Sequence, residues 1–195
     1  MGRSDLGRSD IHLVTDSNEI EHQFRAVMRR LAGGVSIITA GRDDDITGMT
    51  VTSLTSLSAS PPRVLVSVNR QASSFALIER FGTFGVNILG SDQQELADRF
   101  SNGGLKGPQR FEGVPWSAGT SGVPLLGSSL ATIECQVEEI IERYSHGIIV
   151  GSLVSFDLSH ELSGLVYWNG QYIEIKHDFD LDLLAEISIP LAHVR

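Results

Sequence analysis

The sequence contains little of several residue types, and each shortage excludes a class of protein. Cys135 is the only cysteine in 195 residues, so the chain can form neither an internal disulfide nor a cysteine-based zinc motif. The 15 Lys and Arg residues are outnumbered by 24 Asp and Glu, and the net charge of −9 leaves no overall positive field for nucleic acid. We therefore predict a cytoplasmic protein that has no nucleic-acid partner.

Long apolar runs and familiar catalytic motifs are also missing. Apolar stretches such as the one from Gly147 to Phe156 are shorter than the ~20 residues that a membrane-spanning helix needs. No apolar run follows the N-terminal arginines, so we expect neither a signal peptide nor a membrane partner. The sequence has no GxGxxG, GxxxxGK[ST], GxSxG or HExxH motif, and its six histidines are scattered. We expect no metal site, and the alternating pattern around Cys135 favours a packed thiol over a nucleophile.

The sequence is instead rich in strand patterns. The apolar spacing from Ile20 to Leu31 predicts one amphipathic helix packed on another element, and serines at 73 or 74 and at 91 predict the caps of two short helices that end near Phe81 and Phe100. Residues 101–127 are rich in glycine and predict a long loop over a site. The predicted strands are Val35 to Ala40, Thr47 to Leu57, Val64 to Asn69, Phe84 to Leu89, Leu130 to Tyr144, Gly147 to Leu158 and a hairpin from Val166 to Ile175 around Asn169-Gly170.

This element order indicates one domain that is mainly β, of the α+β type. Strands and helices do not alternate as in a parallel sheet, so we predict an antiparallel β-barrel with a few flanking helices. The domain covers residues 18–175. Residues 1–17 are expected to be a disordered tail, and residues 176–195 an acidic extension for which a terminal helix is one interpretation.

Hydroxyl side chains are concentrated in one segment, residues 48–58. Serine and threonine hydroxyls can bind phosphate oxygens or the polar edge of a planar heterocycle, but they also fill solvent-facing positions of ordinary strands. A second candidate binding site lies at 69–74, where Arg70 and two serines stand at the start of a predicted helix. A helix N-terminus beside an arginine suits a dianion, but the serines could also serve only as helix caps. His146 lies between two strands and could contact an anionic or carboxamide substrate, while Tyr167 and Trp168 could stack on a ring.

An ordered series of short motifs spans roughly residues 22–173. It comprises FRAVMRRLAGGVSIIT at 24–39, GMTVTS at 48–53, SPP at 60–62, SVNR at 67–70 with Ser73-Ser74, FGVNIL at 84–89, LADRF at 96–100, His146 with IVG at 149–151, and LVYWNGQY at 165–172. Together these motifs resemble the flavin reductase-like family, the FMN-binding split barrels that include the small reductase components of two-component flavin monooxygenases.

The resemblance implies a homodimeric, Greek-key split barrel that binds FMN or FAD and takes hydride from NADH or NADPH. It implies that His146 lies near the nicotinamide and that no acid, base or nucleophile is obligatory, because the reacting groups belong to the two nucleotides. The flavin-binding residues that it implies are Met49, Thr50, Val51, Thr52, Ser53, Ser67, Val68, Asn69, Ser73, Ser74, Arg99 and Phe100.

The expected function is an NAD(P)H-dependent flavin reductase that supplies reduced flavin to a separate monooxygenase. Two alternatives stay open at this point. The reduced flavin could pass electrons to another bound acceptor, such as a corrinoid or a metal chelate, or the split barrel could bind flavin or haem without catalysis.

Overall fold

Strands make up most of the chain that the computed structural model describes, which is residues 17–176. The N-terminal tail and the acidic extension predicted from the sequence lie almost entirely outside this part. The helices are α1 (Ser17–Met28), α2 (Ser73–Phe81) and α3 (Gln94–Ser101), with one turn of 3₁₀ helix at Gly107–Phe111. The strands are β1 (Gly33–Gly34), β2 (Ser36–Arg42), β3 (Asp45–Val51), β4 (Thr55–Ala59), β5 (Pro62–Asn69), β6 (Thr83–Ile88), β7 (Trp116–Ala118), β8 (Pro124–Leu126), β9 (Ala131–Arg143), β10 (His146–Leu158), β11 (Ser163–Trp168) and β12 (Gln171–Lys176).

Seven strands form the main sheet in the order β3-β2-β6-β9-β10-β5-β4, and every pair in it is antiparallel. Apolar side chains from β2, β3, β5, β6, β9 and β10 share one core with α2, so the sheet is rolled around them. Strand β3 has only β2 as a ladder partner within residues 17–176. Just after β3, the Ser53 hydroxyl donates to the Ser67 carbonyl of β5 over 2.8 Å and links the two ends of the sheet. The predicted antiparallel barrel is confirmed. Its seam, meaning the edge where strand pairing stops, lies at β3.

Several predicted boundaries need correction. The single strand predicted from Thr47 to Leu57 is two strands, because the chain leaves the sheet after Val51 and Ser53 turns toward β5. The predicted loop over residues 101–127 contains the 3₁₀ turn and the hairpin β7–β8. The prediction of Ser91 as a cap is wrong because α3 begins at Gln94, after Gln93, and Ser91 is buried.

The predicted hairpin at the end of the domain is confirmed. Strands β11 and β12 pair from Ser163 with Lys176 to Trp168 with Gln171. The turn residues have φ of 51° at Asn169 and 86° at Gly170, the left-handed conformations that a type I′ turn requires. This sharp turn brings Tyr167 and Tyr172 opposite one another on one face of the hairpin.

Helix α1 forms where the apolar spacing predicts it, but its apolar face is not packed. Among the described residues no side chain of α1 is buried, and the side chains of Phe24 and Val27 are 62% and 64% exposed. The expectation that this helix packs on another element is therefore wrong for the single chain. No helix within residues 17–176 combines the length and the apolar composition needed to cross a membrane.

A buried carboxylate attaches the hairpin β7–β8 to the barrel. Glu134 of β9 is fully buried and accepts hydrogen bonds from the backbone N–H groups of Thr120 (2.9 Å) and Ser121 (2.6 Å). It also accepts bonds from the hydroxyls of Thr120 and Ser155, both at 2.9 Å. Burial alone would raise the pKa of Glu134, but the hydrogen bonds from Ser121, Thr120 and Ser155 outweigh it and lower the pKa to about 2. The carboxylate is thus charged in the folded protein.

Candidate functional site

A cavity lies against the end of β3, between α3 and the hairpin β11–β12. Its volume is about 670 Å³, within the range of small-molecule sites. The last two residues of β3, Thr50 and Val51, and the following Thr52 form one wall of it. The lining residues are Val35, Thr50, Val51, Thr52, Gln94, Asp98, Ser101, Tyr167, Gly170, Gln171 and Tyr172.

Helix α3 contributes a polar stripe to this cavity that the sequence analysis missed. Gln94, Asp98 and Ser101 are four and three residues apart, so they share one face of the helix. Their spacing was visible in the sequence, but the same spacing is typical of any solvated helix face. The helix is fixed to the strand by Thr50, whose hydroxyl donates to the Ala97 carbonyl over 2.6 Å.

Two tyrosines form the opposite wall of the cavity. The rings of Tyr167 and Tyr172 meet edge to face, with centroids 5.2 Å apart. Burial raises the pKa of Tyr172, and the negative charge of the neighbouring Asp98 raises it further. Tyr172 is therefore neutral over the working pH range, and it lines the cavity across from α3.

A second set of predicted residues meets on the other side of β3, at the seam. The hydroxyl of Ser73 lies 3.2 Å from that of Thr47, and the buried Ser74 hydroxyl donates to the Met49 sulfur over 2.9 Å. The prediction that Ser73 or Ser74 caps α2 is wrong, because the cap position is Ala72 and both serines turn toward β3. With the Ser53 bond to Ser67, these contacts tie α2 and β5 to the edge of the sheet.

His146 and Asn69 lie side by side where β10 and β5 pair. The His146 side chain is exposed, and its Nδ1 is 2.9 Å from the Ser145 hydroxyl, which leaves Nε2 free to meet a ligand. The turn that carries it is attached to the end of β5, because the Arg70 backbone N–H donates to the Ser145 carbonyl over 3.0 Å. The Asn69 side chain accepts from the backbone of Gln71 over 2.9 Å and shapes the entry to α2.

Of the predicted site residues, only Thr50, Val51 and Thr52 line this cavity, and for three of the others the structure shows why. Val68 is fully buried in the core, and Phe100 is 1% exposed with its ring packed edge to face against Phe111. The Arg99 guanidinium donates to the carbonyls of Arg110 (2.7 Å) and Gln109 (2.9 Å). Arg99 therefore lies on the side of α3 that faces away from Thr50 and Thr52.

Cys135 is a packed core residue, as expected. Its side chain is fully buried, and burial raises the pKa of the thiol to about 12, so it carries no thiolate at neutral pH. Within residues 17–176 no group of three or more His, Cys, Asp or Glu side chains is placed to hold a metal ion.

A rolled antiparallel sheet with flanking helices, and with a cavity lined by threonines and tyrosines at its edge, is the architecture of a split-barrel protein. The chain belongs to the flavin reductase-like domain family, whose sequence profile matches residues 28–176. This confirms the family that the ordered motifs indicate.

Relatives and solved structures agree with this family. The chain is 35% identical over 156 residues to the reductase subunit HsaB of a flavin-dependent monooxygenase from Rhodococcus jostii, covering 80% of this chain and 78% of that protein. It is 35% identical over 150 residues to the FMN reductase (NADH) RutF of Pseudomonas syringae, covering 76% and 83%. Among solved structures, the NADH:FAD oxidoreductase SgcE6 of Streptomyces globisporus, in complex with NAD and FAD fragments, has a TM-score of 0.77 and 29% identity. That match covers 87% of this chain and all of the other.

Proposed function

We propose that this protein is an NADH-dependent flavin reductase that reduces FMN or FAD. One observation carries the proposal most directly: in a chain of the flavin reductase-like family, the cavity at the barrel edge is lined mainly by hydroxyls, amides and two tyrosines, with one carboxylate, Asp98, and no cationic side chain. Such a lining suits an uncharged aromatic ring system with hydrogen-bonding edges better than it suits a phosphate.

The residues present fit a flavin in their chemistry. Thr52 lies where the chain leaves β3, so its hydroxyl and the adjacent main chain can meet the polar edge of the ring. Tyr167 is 39% exposed and offers a face or edge for ring packing. Ser73 is exposed in the first turn of α2, where the helix dipole favours an anion such as the flavin phosphate. The side chains of Val68, Ser74 and Phe100 are buried and support the site from behind.

The chain's own residues have to bind and orient the two nucleotides. When bound, flavin and nicotinamide supply the chemistry, a hydride passing from one ring to the other. His146 is proposed to meet the nicotinamide end of NADH through its free Nε2. Tyr172, held neutral by burial and by the charge of Asp98, offers an uncharged aromatic wall to the ring. No side chain needs to transfer a proton for hydride transfer to occur.

We further propose that the protein is a cytoplasmic homodimer and that it supplies reduced flavin to a separate monooxygenase. The relatives named as reductase subunits support the second part. Support for the dimer comes from apolar side chains left exposed on the single chain, which would be covered by a second copy. Those with the largest exposure on α1 and β10 are Phe24, Val27, Phe156 and Leu158.

The proposal is tested by mixing the purified protein with NADH and either FMN or FAD and following NADH oxidation. We expect saturable turnover that depends on both nucleotides, with reduced flavin accumulating when oxygen is excluded. Lack of turnover with both flavins and with both NADH and NADPH would refute the proposed activity. Gel filtration coupled to light scattering measures the mass in solution, and a monomer at micromolar concentration would contradict the homodimer.

A further inference from the structure

The cavity against β3 contains a single charged side chain, and its charge is negative. Asp98 lies among ten neutral lining residues, and no Lys, Arg or His is one of them. The nearest arginine along the chain, Arg99, is held away from the cavity by the carbonyls of Gln109 and Arg110. Within residues 17–176 no ion pair involves Asp98. The cavity therefore has a net negative charge that no neighbouring cation in its lining offsets.

The helix turn that carries this carboxylate is anchored to β3. Ala97, the preceding residue of α3, is fully buried, and its carbonyl accepts a hydrogen bond from Thr50 of β3. The Asp98 side chain itself is exposed on the cavity side of the helix, and Tyr172 lines the opposite wall. The Asp98 carboxylate therefore becomes less solvated when a ring fills the cavity beside it.

The effect of this negative charge on binding depends on the charge of the flavin before and after reduction. The inference therefore rests on the proposed function. Hydride transfer moves one proton and two electrons from NADH to the flavin. NADH becomes NAD⁺, and the reduced flavin carries one more negative charge than the oxidised form. A carboxylate beside the ring interacts little with the neutral oxidised ring but repels the charge that reduction adds, and the repulsion grows as water leaves the site.

We propose that Asp98 makes the site bind reduced flavin less tightly than oxidised flavin, so that reduction itself promotes release of the product. The group acts through its charge and takes no part in hydride transfer. A protein that delivers reduced flavin to another enzyme gains from this arrangement, because the oxidised substrate is retained and the reduced product is free to leave.

The experiment compares Asp98→Asn with wild type and with a matched control, Glu95→Gln. Glu95 is an exposed acidic residue on the same helix, but it lines a different cavity, so its substitution removes the same charge without changing the site. The Kd of FMN is measured for the oxidised form by fluorescence titration and for the reduced form by the same titration without oxygen. The midpoint potential of bound FMN, measured by reductive titration, is an independent readout.

We expect Asp98→Asn to lower the ratio of the Kd for reduced FMN to the Kd for oxidised FMN by about tenfold or more. For a two-electron couple, a tenfold fall in this ratio equals a rise of about 30 mV in the midpoint potential of bound FMN. Glu95→Gln should leave the ratio at the wild-type value. A third variant, Tyr172→Phe, removes the phenol hydroxyl across the cavity from Asp98 and keeps the Asp98 charge, so its ratio should not fall, whatever its affinity for oxidised FMN.

Three results would overturn the inference: an unchanged ratio in Asp98→Asn, an equal fall in Glu95→Gln, or an equal fall in Tyr172→Phe. In each of these cases oxidised FMN still binds, so the proposed function would stand. Failure of the wild-type protein to bind oxidised FMN or FAD would instead refute the proposed function together with this inference.

Discussion

Replacing Glu134 with glutamine tests the buried carboxylate that attaches the hairpin β7–β8 to the barrel. The gap between the ordinary pKa of 4.5 and the folded value of about 2 corresponds, at about 1.4 kcal/mol for each pH unit, to about 3 kcal/mol of folding free energy at neutral pH. Glutamine has nearly the same shape as glutamate. In the variant, however, an NH₂ group replaces one of the two oxygens that accept these N–H and O–H groups in the wild type, so donor faces donor. We therefore expect Glu134→Gln to lower the free energy of unfolding by about 2–4 kcal/mol.

The pH dependence has a definite sign. Because folding lowers the pKa of Glu134, the unfolded chain takes up the proton first as the pH falls. The stabilisation is therefore complete above the ordinary value of 4.5 and is lost as the pH falls toward about 2. Urea unfolding at neutral pH and through this acid range measures the free energy of unfolding of the wild type and of Glu134→Gln. The stability of Glu134→Gln should fall less steeply as the pH is lowered.

Glu139→Gln is the matched control for this measurement. Glu139 is on the same strand, β9, but its side chain is exposed, so the same change should cost little. Hydrogen exchange gives a local readout: the backbone N–H groups of Thr120 and Ser121 bond different oxygens of Glu134, so one of them loses its acceptor in Glu134→Gln and neither does in Glu139→Gln. If Glu134→Gln changed the free energy of unfolding by less than about 1 kcal/mol, or if both variants showed the same acid dependence, the reasoning would be refuted.

Three further predictions concern the site and the core. Ser73→Ala should weaken FMN binding by about 1 kcal/mol if its hydroxyl meets the phosphate, and an unchanged Kd in a fluorescence titration would remove it from the site. His146→Ala should raise the KM for NADH more than the KM for flavin in steady-state assays, and equal changes would contradict a nicotinamide contact. Gly147→Ala should lower the free energy of unfolding in urea by about 2 kcal/mol, because an added Cβ would meet the Phe75 ring. Gly164→Ala, where a Cβ has open space, should cost far less; equal losses would show that this packing argument is wrong.

The end of β3 contacts two different parts of the protein. Thr50, Val51 and Thr52 line the cavity, while the Met49 sulfur accepts a hydrogen bond from Ser74 of α2. The hydroxyl-rich segment is therefore attached to α2 and also forms one wall of the candidate site. Residues 45–51 form an ordinary strand, and the interpretation of the segment as ligand-binding stays a prediction.

Local patterns predicted those elements whose conformation is decided by neighbouring residues. The Asn169-Gly170 turn was predictable because both positions need positive φ, which these two residue types tolerate. The approximate span of α1 followed from its apolar spacing in the same way. The break after Val51 was not predictable, because there Ser53 bonds to Ser67, which lies on β5 and is 14 residues away in the chain.

The sequence by itself determined the family, the antiparallel β architecture and the segment at Thr50 to Thr52 that lines the cavity. The tertiary structure alone decided that Val68 and Phe100 are buried and that Asp98 lies in the cavity. The physical reason is that alternation along a strand or spacing along a helix shows which residues share a face. Which face is enclosed depends on how the sheet rolls and where the helices pack against it, and those contacts join residues far apart in the chain.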